Sequence, residues 1–241
     1  SFRAVNVTIP YKVLALEACD EVSEEARAIG AVNTVVNRGG RLFGYNTDFG
    51  GFRLLVRRRG VSLAGKTVLI LGTGATQRTV RAVCAAEGAA QVLCASRSAR
   101  PGALRYEQAA ARQDVNVIVN ASPAGMYPDN GTCLVDVTAP GAFPALEAVF
   151  DVVYNPLRTR LVQMAGVRGV PCAGGLLMLV AQAKYAAELF LGAPIEERRI
   201  LEIYRGLLAE KAGLAAGMAS NIVPCVGLII FTLLVARLPE E

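Results

Sequence analysis

Thr67-Val68-Leu69-Ile70-Leu71-Gly72-Thr73-Gly74-Ala75-Thr76 decides how this chain reads. The first five residues are an unbroken apolar and β-branched run, as in a strand buried on both faces of a parallel sheet. Two glycines follow, and Thr76 to Glu87 reads as a helix closed by Gly88. Glycines between a strand and a helix allow a tight turn and close backbone approach to a pyrophosphate. The helix N-terminus then faces that anion with free N–H groups. Gly72, Thr73 and Gly74 are therefore candidate cofactor contacts. A third glycine is usual in such loops, and Gln77 stands in its place.

Downstream, Gln91 to Ala95 reads as the next strand and runs into Ser96-Arg97-Ser98, with Arg100 close by. Folds that bind NAD place an acid here for the ribose hydroxyls. An arginine instead offers a planar fork to a 2′-phosphate. Ser96, Arg97, Ser98 and Arg100 thus point to NADP rather than NAD. Val115 to Asn120 and Val149 to Tyr154 read as further strands with Pro/Gly-rich connections. Asn120-Ala121-Ser122-Pro123-Ala124-Gly125-Met126 follows one of them, where a loop faces the cofactor crevice. Leu176 to Leu191 and Pro194 to Ala212 read as two closing helices. Strand alternating with helix predicts a parallel sheet covered by helices.

Upstream, Val5 to Ile9 reads as a strand and Leu14 to Ile29 as a helical region, with Ser23 and Glu24-Glu25 suiting a helix start. Ala31 to Asn37 and Arg41 to Tyr45 read as two strands around Arg38-Gly39-Gly40, a hairpin signal. Phe49 to Arg59 reads as a helix whose basic end suits the C-terminal dipole. Lys12 closes Asn6-Val7-Thr8-Ile9-Pro10-Tyr11-Lys12, and Asp48 closes Gly44-Tyr45-Asn46-Thr47-Asp48. The chain contains no histidine, so proton transfer near neutral pH falls to other groups. A lysine beside a carboxylate can be held in place and share protons with a substrate hydroxyl. Taken with the dinucleotide loop, Lys12 and Asp48 point to hydride transfer on a polar alcohol.

The chain has 241 residues, 53% of them hydrophobic and only 6% aromatic. That is an Ala/Val/Leu-rich interior, large enough for one big domain or two small ones. The net charge of +5 fits a mildly basic surface or steering of anionic ligands. Arg57-Arg58-Arg59 is a short basic run without interleaved aromatics, which argues against nucleic acid. Six cysteines stand at 19, 84, 94, 133, 172 and 225 with no CxxC spacing. Without histidine they make no ordinary zinc set, so no metal is expected, and their dispersal suggests a reduced, cytoplasmic setting. Ser1 is followed almost at once by strand-like sequence, so the chain reads as truncated at its N-terminus. Ala212 to Ala236 carries no charge and is long enough to span a membrane. Pro224 and Asn221 interrupt it, and a packed extension, or a disordered or non-native tail, is expected instead.

At these motifs the chain resembles the shikimate dehydrogenase family. Asn6 to Lys12 is similar to the family's catalytic-lysine motif. Gly30-Ala31-Val32-Asn33-Thr34 and Asn46-Thr47-Asp48 are similar to its substrate asparagine and catalytic aspartate segments. Gly72 to Thr76 matches its dinucleotide loop, with Ala75 where a second glycine is usual. Ser96-Arg97-Ser98 resembles its phosphate clamp, and Asn120 to Met126 its Asn-Thr-Thr-Pro-x-Gly-Met loop. Asp151-Val152-Val153-Tyr154 and Gly175 to Gln182 resemble its tyrosine and glutamine segments. The resemblance runs from about residue 2 to about 213.

The resemblance implies a two-domain α/β enzyme: a Rossmann-like NADP-binding domain with a parallel sheet, plus a smaller discontinuous α/β substrate domain. Residues 1–48 would form the first part of the substrate domain, 49–174 the NADP domain, 175–214 the helices completing the substrate domain, and 215–241 a tail of unknown role. Lys12 and Asp48 would be the catalytic pair. Thr8, Asn33, Asn46, Tyr154 and Gln182 would contact substrate, with Val152 and Gly175 near the nicotinamide. The implied reaction is reversible NADPH-dependent reduction of 3-dehydroshikimate to shikimate. The alternatives are a quinate/shikimate dehydrogenase of broader choice and a catalytically impaired NADP-binding fragment. The expected partner is a small molecule, and a homodimer is one option. The family's Ser-x-Ser-Pro carboxylate motif is absent here, so NADP binding with poor shikimate turnover is expected.

Overall fold

The computed structural model describes residues 2–215, with the side chains of 2–210. The first sheet is built from β1 (Ala4–Asn6), β2 (Glu21–Val22), β3 (Thr34–Arg38) and β4 (Arg41–Tyr45), in the order β1-β3-β4-β2. The β3–β4 hairpin expected around Arg38-Gly39-Gly40 is present and antiparallel, with Thr34 opposite Tyr45 and Arg38 opposite Arg41. Two short helices, α1 (Lys12–Ala18) and α2 (Glu24–Ile29), flank this sheet. Leu14 to Ile29 is therefore not one helical region: β2 interrupts it and pairs parallel with β4. Ser23 does cap α2, accepting the Ala26 N–H at 3.2 Å.

The second sheet is wholly parallel. Its strands are β5 (Thr67–Leu71), β6 (Gln91–Ser96), β7 (Leu104–Arg105), β8 (Val117–Asn120), β9 (Ala148–Asp151) and β10 (Cys172–Ala173), ordered β10-β9-β8-β5-β6-β7. The chain builds outward from β5 to β7, then returns to β8 and builds the other way. The reversal lies between β5 and β8, where ligands bind in sheets of this kind.

Both faces of this sheet are buried. Val68 and Ile70 of β5 face one core with α3 (Thr47–Arg58), α4 (Ala75–Ala86), α7 (Leu176–Leu191) and α8 (Arg198–Ala215). Leu69 and Leu71 face the other, with α5 (Tyr106–Ala110) and α6 (Arg160–Val167). This is why β5 reads as a continuous apolar run. Phe52 of α3 meets Phe150 of β9 edge to face at 6.1 Å. Helix α3 also lies tightly on α7: a methyl group at Gly51 would stand 2.7 Å from the Met178 carbonyl oxygen.

Among the described residues no helix is long and apolar enough to cross a membrane. The apolar stretch from residue 216 onward lies outside the described residues. Cys19, Cys84, Cys94, Cys133 and Cys172 are free thiols.

Candidate active site

Lys12 and Asp48 are 36 residues apart in sequence and in contact in space. Lys12 Nζ donates to Asp48 Oδ2 at 2.6 Å. Both residues are buried, at 9% and 8% exposure. Lys12 opens α1, and its carbonyl accepts the Val32 N–H at 2.9 Å. Asp48 lies in the first turn of α3, where the helix dipole favours a carboxylate. Removing two charges from water is costly unless the pair is well made, so a buried ion pair of this kind points to use rather than to stability.

Asn33 sits beside the pair. Its backbone is pinned from both sides: its carbonyl accepts the Val7 N–H at 2.7 Å and its N–H donates to the Tyr45 carbonyl at 3.0 Å. Asn33 Oδ1 accepts the Thr47 N–H at 2.8 Å. Thr34 Oγ1 lies 3.0 Å from Asn33 Oδ1 and 3.2 Å from Thr47 Oγ1. Thr47 Oγ1 reaches Gln182 Oε1 of α7 at 3.4 Å, and Gln182 Nε2 donates to the Leu179 carbonyl at 3.0 Å. Asn33, Thr47, Gln182, Lys12 and Asp48 thus converge from three helices and the residue just before β3.

The other expected substrate residues are placed differently. Thr8 is exposed on the segment between β1 and α1, where its carbonyl accepts the Tyr11 N–H at 2.9 Å. Tyr154 is half-buried against the core, just past β9. Asn46 faces inward: its Nδ2 donates to the Ala31 carbonyl at 2.9 Å.

The cofactor candidates gather at the C-terminal edge of the parallel sheet. Gly72 has φ +113, a left-handed conformation that glycine adopts at little cost. Gly74 precedes α4 with no side-chain cap, and a Cβ there would meet open space. Thr73, Ala75 and Thr76 complete the turn and are half-buried. The turn therefore leaves free N–H groups facing a clear approach. Gln77, in the position of a third glycine, is instead buried, with Nε2 3.0 Å from Cys94 Sγ.

At the end of β6, Ser96 is buried and its hydroxyl bonds the Ser98 carbonyl. Arg97, Ser98 and Arg100 are exposed. Arg105 of β7, opposite Ser96, brings its guanidinium to the Arg97 carbonyl. Sequence reasoning missed Arg105, because a two-residue strand within a loop carries no period. Val152 and Gly175 do come together. Gly175 N donates to the Val153 carbonyl at 2.9 Å, and a Cβ at 175 would stand 2.1 Å from the Val152 oxygen.

Asn120 and Asp151 end neighbouring strands. Asn120 Nδ2 donates to Asp151 Oδ1 at 2.9 Å, as does the Val153 N–H. Thr159 Oγ1 donates to Asp151 Oδ2 at 2.6 Å. Asp151 is fully buried, and that burial outweighs its three donors and pushes its carboxyl up to about 6. This network ties together the loops that follow β8 and β9, on one side of the reversal point.

Residues 1–35 match the family model described as the shikimate dehydrogenase substrate binding domain. Shikimate dehydrogenase (NADP(+)) of Symbiobacterium thermophilum is 40% identical over 220 residues, covering 81% of this chain and 73% of that protein. The chain belongs to the shikimate dehydrogenase family. The family's solved structures agree with this one in fold. A chorismate mutase/shikimate 5-dehydrogenase fusion protein from Clostridium acetobutylicum superposes with TM-score 0.80 at 31% identity, over 86% of this chain and 78% of the other. The Thermus thermophilus shikimate 5-dehydrogenase in complex with NADP(H) and shikimate superposes with TM-score 0.74 at 34% identity, over 85% and 79%.

Proposed function

We propose that this chain catalyses the reversible NADP-dependent interconversion of shikimate and 3-dehydroshikimate, with Lys12 and Asp48 as the proton-handling pair. The observation that carries this reading is the buried 2.6 Å contact between them at the rim of the substrate segments, in a chain with no histidine. Family membership supplies the substrate class.

The residues present fit NADP. Gly72 to Thr76 would hold the pyrophosphate on the N-terminus of α4, and Ser96, Arg97, Ser98 and Arg100 the 2′-phosphate. When bound, the cofactor supplies or accepts the hydride. Lys12 donates a hydrogen bond to the substrate oxygen. It gives up a proton as the ketone is reduced and takes one back as the alcohol is oxidised. Asp48 holds the ammonium in place and balances its charge. Asn33, Thr47 and Gln182 offer donors and acceptors to ring hydroxyls, with Thr8 and Tyr154 completing the set. Asn46 acts from behind Ala31.

In this reading residues 1–48 and 175–214 handle substrate and residues 49–174 the cofactor, in a reduced cytoplasmic setting. Steady-state assays of shikimate and quinate with NADP+ and NAD+ test it. The reading expects shikimate with NADP+ to be the preferred pair, and absence of shikimate turnover would overturn it.

A further inference from the structure

Asn46 sits where three segments meet. Its backbone precedes α3, whose second residue is Asp48. Its Nδ2 donates to the carbonyl of Ala31, two residues before Asn33, and lies 3.5 Å from Thr79 Oγ1 on α4. One position earlier on α4, Arg78 Nη1 reaches the Gly30 carbonyl at 3.3 Å. The helix whose first turn follows the Gly72–Gly74 loop thus touches both segments that frame the Lys12–Asp48 pair. Asn46 is 5% exposed and Thr79 is 1% exposed. Asn46 Oδ1 is buried without a hydrogen-bond partner among the described residues.

A buried acceptor without a donor is destabilising, because its bond to water is lost and not replaced. A threonine hydroxyl both donates and accepts, and Thr79 is the hydroxyl beside this amide. A small movement of α4 toward α3 would give the orphan oxygen its donor. A bond made in one arrangement of two helices and not in another is what coupling between two sites requires.

We propose that Thr79 and Asn46 are positioning residues that form a joint between the cofactor helix and the catalytic helix. Cofactor seated on the N-terminus of α4 draws the joint tight and holds the first turn of α3, with Asp48, against Lys12. The kinetic part of this inference rests on the dehydrogenase reading above. The mechanical part needs only NADP+ binding.

The test compares the whole chain with Thr79→Val and Thr79→Ser. Calorimetry should show NADP+ bound about fivefold or more weakly by Thr79→Val, because a bond made only with cofactor seated strengthens cofactor binding, and about equally by Thr79→Ser and the parent chain. Hydrogen exchange with NADP+ alone should show slower exchange across residues 46–52 in the parent chain and in Thr79→Ser. Thr79→Val should lose that slowing. In steady state Thr79→Val should lose about fivefold or more in kcat and show a raised KM for NADP+, and Thr79→Ser should restore both. Should Thr79→Val not fold, Thr79→Ala is read in the same way. Slowing at 46–52 that is equal in the parent chain and the variant, or absent from both, overturns the joint, as does failure to bind NADP+. A parent chain that shows the slowing but does not turn over shikimate keeps the joint and overturns the proposed reaction.

Discussion

Asn33 Oδ1 accepts the backbone N–H of Thr47 at 2.8 Å. A side chain at the foot of the β3–β4 hairpin thus caps the helix that carries Asp48. Asn46, the residue in the cap position of that helix, makes no side-chain capping bond of its own. The division of labour is physical: Asn46 is committed to Ala31 and the α4 side, so Asn33 supplies the missing acceptor.

Asn33→Ala should therefore destabilise the fold as well as the site. Loss of an N-cap acceptor costs about 1 kcal/mol, and the Thr34 hydroxyl loses a partner as well. Urea unfolding should show a lower midpoint with an unchanged slope. Asn33→Asp keeps the acceptor and should recover most of the stability. Equal stability of Asn33→Ala and the parent chain would show that Thr47 is capped by other means.

Cofactor choice follows from the end of β6. Arg97 is exposed beside Ser96 and Ser98. NADP+ should bind at least tenfold more tightly than NAD+, about 1.4 kcal/mol. Arg97→Ala should weaken NADP+ binding much more than NAD+ binding. Equal losses for both in calorimetry would remove Arg97 from the phosphate site.

Asp151 gives a pH dependence of known sign. Burial raises its carboxyl to about 6 from 3.8, so the folded chain holds this proton more tightly than the unfolded chain. Its contribution to stability is largest below about pH 4 and falls as pH rises to about 6. At about 1.4 kcal/mol per pKa unit the change is about 3 kcal/mol. Asp151→Asn can keep the Val153, Asn120 and Thr159 contacts. Thermal melts should show a flatter profile between pH 4 and 6 and no loss of stability at pH 7. A variant that melts well below the parent chain at pH 7 would mean the charge itself is needed.

Much of the fold is legible where one physical signal dominates. Thr67–Leu71 and Leu176–Leu191 lie where their apolar runs and the following turn residues place them. The elements missed are short or hidden. Strand β2 has only Glu21 and Val22 and owes its existence to pairing with β4. Strand β7 and helices α5 and α6 lie in the Pro/Gly-rich connections, where local pattern is weak and packing on the sheet decides. In the site, Lys12 and Asp48 stand out in sequence because each falls in the first turn of a helix that follows a strand. The contacts that set their positions do not. Nothing in the sequence links Asn33 to the Thr47 amide, or Asn46 to Thr79, because both depend on how hairpin and helices pack.

The most direct measurement is kcat for shikimate oxidation by NADP+ in Lys12→Met beside the parent chain. Methionine keeps the apolar stem and removes only the ammonium. Because Asp48 is left buried without its partner, the fold should be checked first by a thermal melt. The account predicts a loss of about 10²-fold or more in kcat, the usual worth of a positioned proton donor, with NADP+ affinity retained. A folded Lys12→Met variant that turns over shikimate at near-parental rate would contradict it.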